Sequence, residues 1–285
     1  MTDRPRARHA AFVGDRGRDH DASMWFLGRK ARRRRLLRKH AIPAAVWREI
    51  VDTTPVLAPL CDEERARLHD LCAVFLGEHP FEACGGVLLD DDLRRRIAAQ
   101  ACLLVLGLDL DAFRGVTSVL VYPAGYRTRR HHEDESGVVS EGEEEMLGEA
   151  WTDGPVVLNL QDVLDVDEGE PFNLVLHEFA HKIDMLDGAE DGMPPLHRGM
   201  DREAWLRDMQ AARDDLAASD ERGEDPDIDP YAAEDEAEGF AVFTETFFTA
   251  PWLLAEDYPR VYEHLRAFWR QDPLARFDAQ DPAQV

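Results

Sequence analysis

Apolar residues recur along this chain mostly at helical spacing. Trp47, Ile50 and Val51 follow Pro43 on one helical face, and Leu68, Leu71, Cys72 and Phe75 do the same after the acidic start Asp62-Glu63-Glu64. Leu93, Ile97 and the nearly continuous run from Ala98 to Leu106 predict a third, more deeply buried helix. The period changes at Val116 to Tyr122, a β-branched stretch stopped by Pro123-Ala124-Gly125, which reads as a strand. Gly154-Pro155 opens a second strand, Val156 to Leu160. Between the two, Arg127 to Asp153 is charged and punctuated by glycine, and reads as loops or hairpin tips around a short strand at Val138-Val139. Helical spacing returns from Phe172 to Asp187, uninterrupted by Gly or Pro, then in the Phe240, Phe243, Phe247 stripe and in the Tyr262 to Trp269 segment. There is no internal repeat. The pattern predicts an α+β domain, mainly helical, with a small mixed sheet.

Length and composition narrow the class. The 285 residues, 44% hydrophobic, suffice for a substantial core. No run approaches the roughly 20 consecutive apolar residues of a membrane span, and Met24-Trp25-Phe26-Leu27 is too short for the apolar region of a signal peptide. The expected location is cytoplasmic, with Cys61, Cys72, Cys84 and Cys102 as reduced core residues lacking any CxxC spacing. A net charge of −25 repels phosphate backbones, so direct nucleic-acid binding is not expected. The charge is asymmetric: residues 1–40 hold 13 Lys/Arg against four Asp/Glu. They read as a basic, disordered N-terminal segment, with Met24 as an alternative start. Residues 41–275 read as one catalytic domain and 276–285 as a C-terminal tail.

Candidate chemistry sits in Phe172 to Asp184, which contains His177-Glu178-Phe179-Ala180-His181. A His-Glu-x-x-His pattern on a helix puts both imidazoles on one face, a turn apart, able to share one metal ion. Zn²⁺ suits two neutral imidazoles and a carboxylate, because a fourth position then stays open to water. Glu178 projects beside that position and can take the proton of a water whose pKa the metal lowers, which is the chemistry of amide hydrolysis. The third ligand has two candidate sources. In a metzincin-like site the chain turns at a Gly and binds ten residues after the first His; those positions are Asp184, not Gly, and Asp187. In a gluzincin-like site a Glu comes from a second helix, and Glu234, Glu238 and Glu245 stack near one face of the Tyr231 to Phe248 segment. His131-His132 lie in a charged loop without a helical partner and read as surface residues, while His197 and His264 read as structural or exposed.

His177 to Asp184, the Gly148-Glu149-Ala150-Trp151 segment ahead of Gly154-Pro155, and the Tyr231 to Phe248 helix together resemble the Mlc titration factor A family of bacterial zinc-dependent peptidases. The likeness spans most of residues 45 to 270 and implies a zincin-type, gluzincin-like fold. It implies that His177, His181 and Glu238 bind zinc, that Glu178 is the general base, and that Tyr231 stabilises the oxyanion. Glu245 and Asp184 would orient the imidazoles. It also implies aminopeptidase-like activity on peptides and, in some relatives, binding of a Mlc-like transcriptional repressor. The chain departs from the family in the acidic segment Glu133 to Glu149 and in Leu158-Asn159-Leu160-Gln161-Asp162. The rival reading is a regulatory protein that sequesters a transcription factor, its metal site mainly structural. A basic N-terminus tethered to anionic lipid or nucleic acid is a third.

Overall fold

The computed structural model describes residues 30–123, 154–164, 171–224 and 226–280. In chain order these form α1 (residues 30–39), α2 (Ala44–Thr53), α3 (Asp62–Glu78), β1 (Phe81–Ala83), α4 (Asp91–Leu104), β2 (Val116–Tyr122) and β3 (Gly154–Asn159). There follow α5 (Leu160–Leu164), α6 (Leu174–Asp184), α7 (Arg202–Glu221), α8 (Glu236–Thr249), α9 (Pro251–Asp257), α10 (Pro259–Trp269) and α11 (Pro273–Gln280). Short 3₁₀ turns at Leu110–Phe113, Met185–Asp187 and Pro230–Ala233 join some of them. The architecture is mainly helical with a small sheet, as the periodicity predicts.

Helix starts are set by local chemistry. At α3 the Cys61 N–H donates to Glu64 Oε2 at 3.1 Å, and Asp62, Glu63 and Glu64 place negative charge on the first turn. Asp90 accepts from the Leu93 N–H at 2.8 Å to start α4, and Asp201 accepts from Glu203 and Ala204 to start α7.

The sheet order is β1-β2-β3, and both pairings are parallel. The expected mixed sheet is therefore corrected among the described residues. Parallel neighbours need a crossover, and α4 supplies it between β1 and β2. Side chains alternate as a one-sided sheet requires: Val156 and Leu158 of β3 are buried, while Pro155, Val157 and Asn159 are half-buried. The second strand ends at Asn159, one residue earlier than expected, because Leu160 opens α5.

Two aromatic clusters hold the helices that matter most. Phe179 of α6 meets Phe75 of α3 and Phe113 edge-on, with centroids 5.7 and 5.0 Å away. Phe240 of α8 packs among Trp205 of α7 and Phe268 and Trp269 of α10. α6 and α8 pack along each other between these clusters, and β3 flanks α6.

Two boundaries and the burial of two cysteines differ from the sequence reading. Residues 30–39 of the supposedly disordered basic segment are helical, with Leu36 only 5% exposed. Arg33 there faces acids of the domain, bonding Asp109 at 2.8 Å and reaching Asp111 at 3.2 Å, while Arg32, Arg34, Arg35 and Arg38 are exposed. The tail expected from 276 begins inside α11, where Arg276 holds Glu64 at 2.7 Å. Of the cysteines expected in the core, Cys72 and Cys102 are buried, Cys84 is half-buried and Cys61 is exposed at the start of α3; all four are free thiols. Met24, His131-His132, Val138-Val139 and the Glu133 to Glu149 segment lie outside the described residues. Among those described, no helix is long and apolar enough to cross a membrane.

Candidate metal centre

The site begins at the start of α6. Asn173 has extended backbone, and its side-chain oxygen accepts from the Leu176 N–H at 3.0 Å, which stops the preceding chain and starts the helix. Four residues later comes His177, and one turn further His181, on the side of α6 opposite the Phe75–Phe113 brace that holds Phe179. On α8, Asp235 accepts from the Glu238 N–H at 2.8 Å, which fixes Glu238 in the first turn. Glu245 follows seven residues on, two turns along the same face.

These elements bring His177, His181 and Glu238 together, each offering a ligand atom, all within 4.8 Å of one another. His177 Nε2 is 3.0 Å from Glu238 Oε2, His181 Nε2 is 3.4 Å from the same oxygen, and the two Nε2 atoms are 3.1 Å apart. His181 and Glu238 are buried, and the His177 side chain is 12% exposed. Behind His177, Glu245 Oε1 lies 2.5 Å from Nδ1. Glu245 Oε2 accepts the Asn173 backbone N–H at 2.7 Å, and the Asn173 side-chain amide donates to Gln100 Oε1 of α4 at 2.7 Å. Glu245 thus reaches His177, as the resemblance implies.

The electrostatics call for positive charge at the centre. Burial opposes a charged His177, but the Glu245 and Glu238 carboxylates outweigh it and hold its pKa well above the ordinary value. Burial likewise opposes an ionised Glu238, yet hydrogen bonds from His177 and His181 keep its pKa far below the carboxylate range. When His177 is neutral and its one proton, on Nδ1, is directed at Glu245, its Nε2 presents a lone pair to the buried Glu238 Oε2. Acceptors facing one another at these distances are repulsive unless a proton or a cation lies among them. Two imidazoles and a carboxylate are a donor set suited to a transition-metal ion, so these residues fit one.

The other candidates fall outside the cluster. Asp187 is exposed in the Met185–Asp187 turn, where it accepts from the Ala189 N–H at 3.3 Å. Glu234 is exposed just before α8. Asp184, expected to orient an imidazole, instead accepts from the Gly192 N–H at 2.8 Å; its side chain leaves the end of α6 toward the following loop. Burial, with Asp191, Glu190 and Asp187 nearby, raises its carboxyl to about 7 against the pull of that N–H. His264 bonds Asp208 at 2.9 Å and His197 bonds the Phe268 carbonyl at 2.7 Å, both structural. Glu178, next to His177, is half-buried. The Tyr231 ring lies roughly parallel to that of His177, with centroids 6.5 Å apart. Sequence spacing missed Asn173, whose Asn-then-apolar cap pattern was visible, and Glu190, whose Oε1 lies 3.5 Å from His181 Nδ1.

Comparison with known proteins agrees with this geometry. Residues 28–270 match a family described as glucose-regulated metallo-peptidase M90. The chain is 40% identical over 232 residues to Mlc titration factor A of Pectobacterium atrosepticum, covering 81% of this chain and 87% of the relative. It is 40% identical over 235 residues to the protein of that name from Yersinia enterocolitica, covering 81% and 87%. With the Serratia proteamaculans protein it shares 38% over 247 residues, covering 85% and 94%.

Proposed function

The chain belongs to the glucose-regulated metallo-peptidase M90 family, and from that premise we propose that it is a zincin-type, zinc-dependent peptidase. His177, His181 and Glu238 are the ligands in this reading, as a gluzincin-like site requires. The observation that carries it is the convergence of three buried or nearly buried acceptors on one point, with Glu178 on the adjoining position of the same helix. A zinc ion there supplies Lewis acidity, polarising a carbonyl and lowering the pKa of water to about 7. Glu178 accepts a proton from the attacking water and passes it to the departing amine. Tyr231, beside His177, donates a hydrogen bond to the developing oxyanion. β3, at an edge of the described sheet and against α6, aligns extended substrate through its main chain. The preferred substrates are short peptides, cleaved in an aminopeptidase-like manner in the cytoplasm.

The test combines metal analysis of purified protein with chelator-sensitive cleavage of an amino-acid anilide panel. Glu178→Gln retains zinc and loses at least about 100-fold in turnover. Glu238→Ala loses zinc. Wild-type turnover in Glu178→Gln refutes the general-base assignment. The name of the relatives, Mlc titration factor A, favours a second activity, binding of a Mlc-like transcriptional repressor. A pull-down with wild-type and Glu178→Gln protein separates the two: capture by both supports sequestration independent of catalysis.

A further inference from the structure

The two imidazoles are supported unequally. His177 has Glu245, anchored in turn by Asn173. His181 is 4% exposed, and its Nδ1 is buried without a hydrogen bond. Its own helix does not supply one, because Asp184, a turn further along, is engaged by Gly192. The carboxylate that does come near is Glu190 Oε1, 3.5 Å from Nδ1, at the limit of a hydrogen bond.

Glu190 is not on a free loop. Gly188, in a left-handed conformation at φ 98°, turns the chain back at the end of the Met185–Asp187 turn. The far end is pinned at Gly192, whose N–H goes to Asp184 and whose carbonyl accepts from the indole of Trp205 at 3.1 Å. Gly192 also rests on the start of α8: a Cβ there would lie 2.0 Å from the Glu236 carbonyl oxygen. A short segment fixed at both ends carries Glu190 between them, and its side chain is 26% exposed.

Resting on the reading of the centre as a zinc site, we propose that Glu190 is the positioning residue for His181. It accepts the Nδ1 proton, fixes the ring orientation and leaves Nε2 as the ligand atom, as Glu245 does for His177. Asp184 acts one step behind it, by holding the segment that presents Glu190. The two histidines then differ in consequence, since Glu245 is buried at 3% exposure and Glu190 meets solvent. A carboxylate in contact with water is screened and contributes less than a buried one.

The test measures zinc affinity by chelator competition on the full chain, with zinc alone as the probe. It is paired with ¹⁵N spectra of the zinc-loaded histidines. Glu190→Ala weakens zinc binding by about 10-fold, and Glu190→Gln, which still offers an acceptor, recovers part of that loss. The His181 Nδ1 resonance shifts in Glu190→Ala while that of His177 stays in place. Asp191→Asn, which removes a neighbouring charge, controls for long-range electrostatics. Equal weakening by Glu190→Ala and Asp191→Asn, or wild-type affinity in Glu190→Ala, overturns the proposal. Failure of the wild-type chain to bind zinc overturns instead the metallopeptidase reading on which it rests. Circular dichroism of each variant separates misfolding from loss of affinity, and a Glu190→Ala protein that folds and keeps an unmoved His181 resonance also counts against it.

Discussion

Asp184→Asn isolates the pH dependence built into the end of α6. Asp184 is 0% exposed, and one oxygen accepts from the Gly192 N–H while the other has no hydrogen bond. Its carboxyl stands at about 7 in the folded protein against the ordinary aspartate value of 3.8. A folded pKa above the unfolded one means the native state binds the extra proton. That contribution is full below about pH 4 and is lost as pH rises toward 7. At about 1.4 kcal/mol per unit the whole shift sets a ceiling on the order of 4 kcal/mol. Between pH 5.5 and pH 8 the wild-type chain therefore loses about 2 kcal/mol through this group. Asparagine keeps an oxygen for Gly192 and cannot ionise, so that loss disappears. Its amide nitrogen replaces the unbonded oxygen, which adds a constant cost at every pH. The signature is thus the slope of the difference between the two proteins, read from urea unfolding at several pH values with chelator present. Contributions from His177 and Glu238 cancel in that difference. Parallel stability curves for the two proteins across this range refute the assignment of a buried, protonated carboxyl at Asp184.

Glu245→Gln replaces the buried carboxylate behind His177 with an amide whose NH₂ faces the Asn173 N–H, so it meets one of its two hydrogen bonds; chelator competition should show zinc affinity lower by about 10- to 100-fold. Gly192→Ala forces a Cβ onto the Glu236 carbonyl at a positive φ of 69°, and thermal unfolding should register a loss on the order of 2 to 4 kcal/mol. An unchanged melting temperature would show that the loop moves away from α8 freely.

What the sequence disclosed followed from periodicity. The four-residue spacing of His177 and His181 put them on one face, and the seven-residue spacing of Glu238 and Glu245 did the same on α8. β2 and β3 were visible because Val116 to Tyr122 and Val156 to Leu158 are β-branched or large. β1 was not: Phe81-Glu82-Ala83 has no strand signature, and its extended form comes from pairing with Val119 to Val121. The parallel sense of the sheet depends on where α4 carries the chain, which no local pattern encodes. Residues 30–39 read as a solvated basic run because the acids that receive Arg33 lie more than seventy residues away. α7 passed unnoticed although Asp201 signals its start, since its polar face outweighs the Trp205, Met209 and Leu216 stripe. Glu190 was hidden for a related reason. Between Ala189 and Asp191 it looks like any loop acid, and only the fixing of Gly192 turns it toward His181.

The chain of contacts from Gln100 through Asn173 and Glu245 to His177 joins three helices by hydrogen bonds drawn entirely from the protein. The conformational entropy of fixing that imidazole is therefore surrendered when the polypeptide folds, and little remains to be surrendered when an ion arrives. An ion captured this way is held by a socket finished beforehand. Its affinity should track the integrity of α4 as closely as that of the ligands themselves, so damage at Gln100, remote from the coordinating atoms, would surface first as leakage of metal.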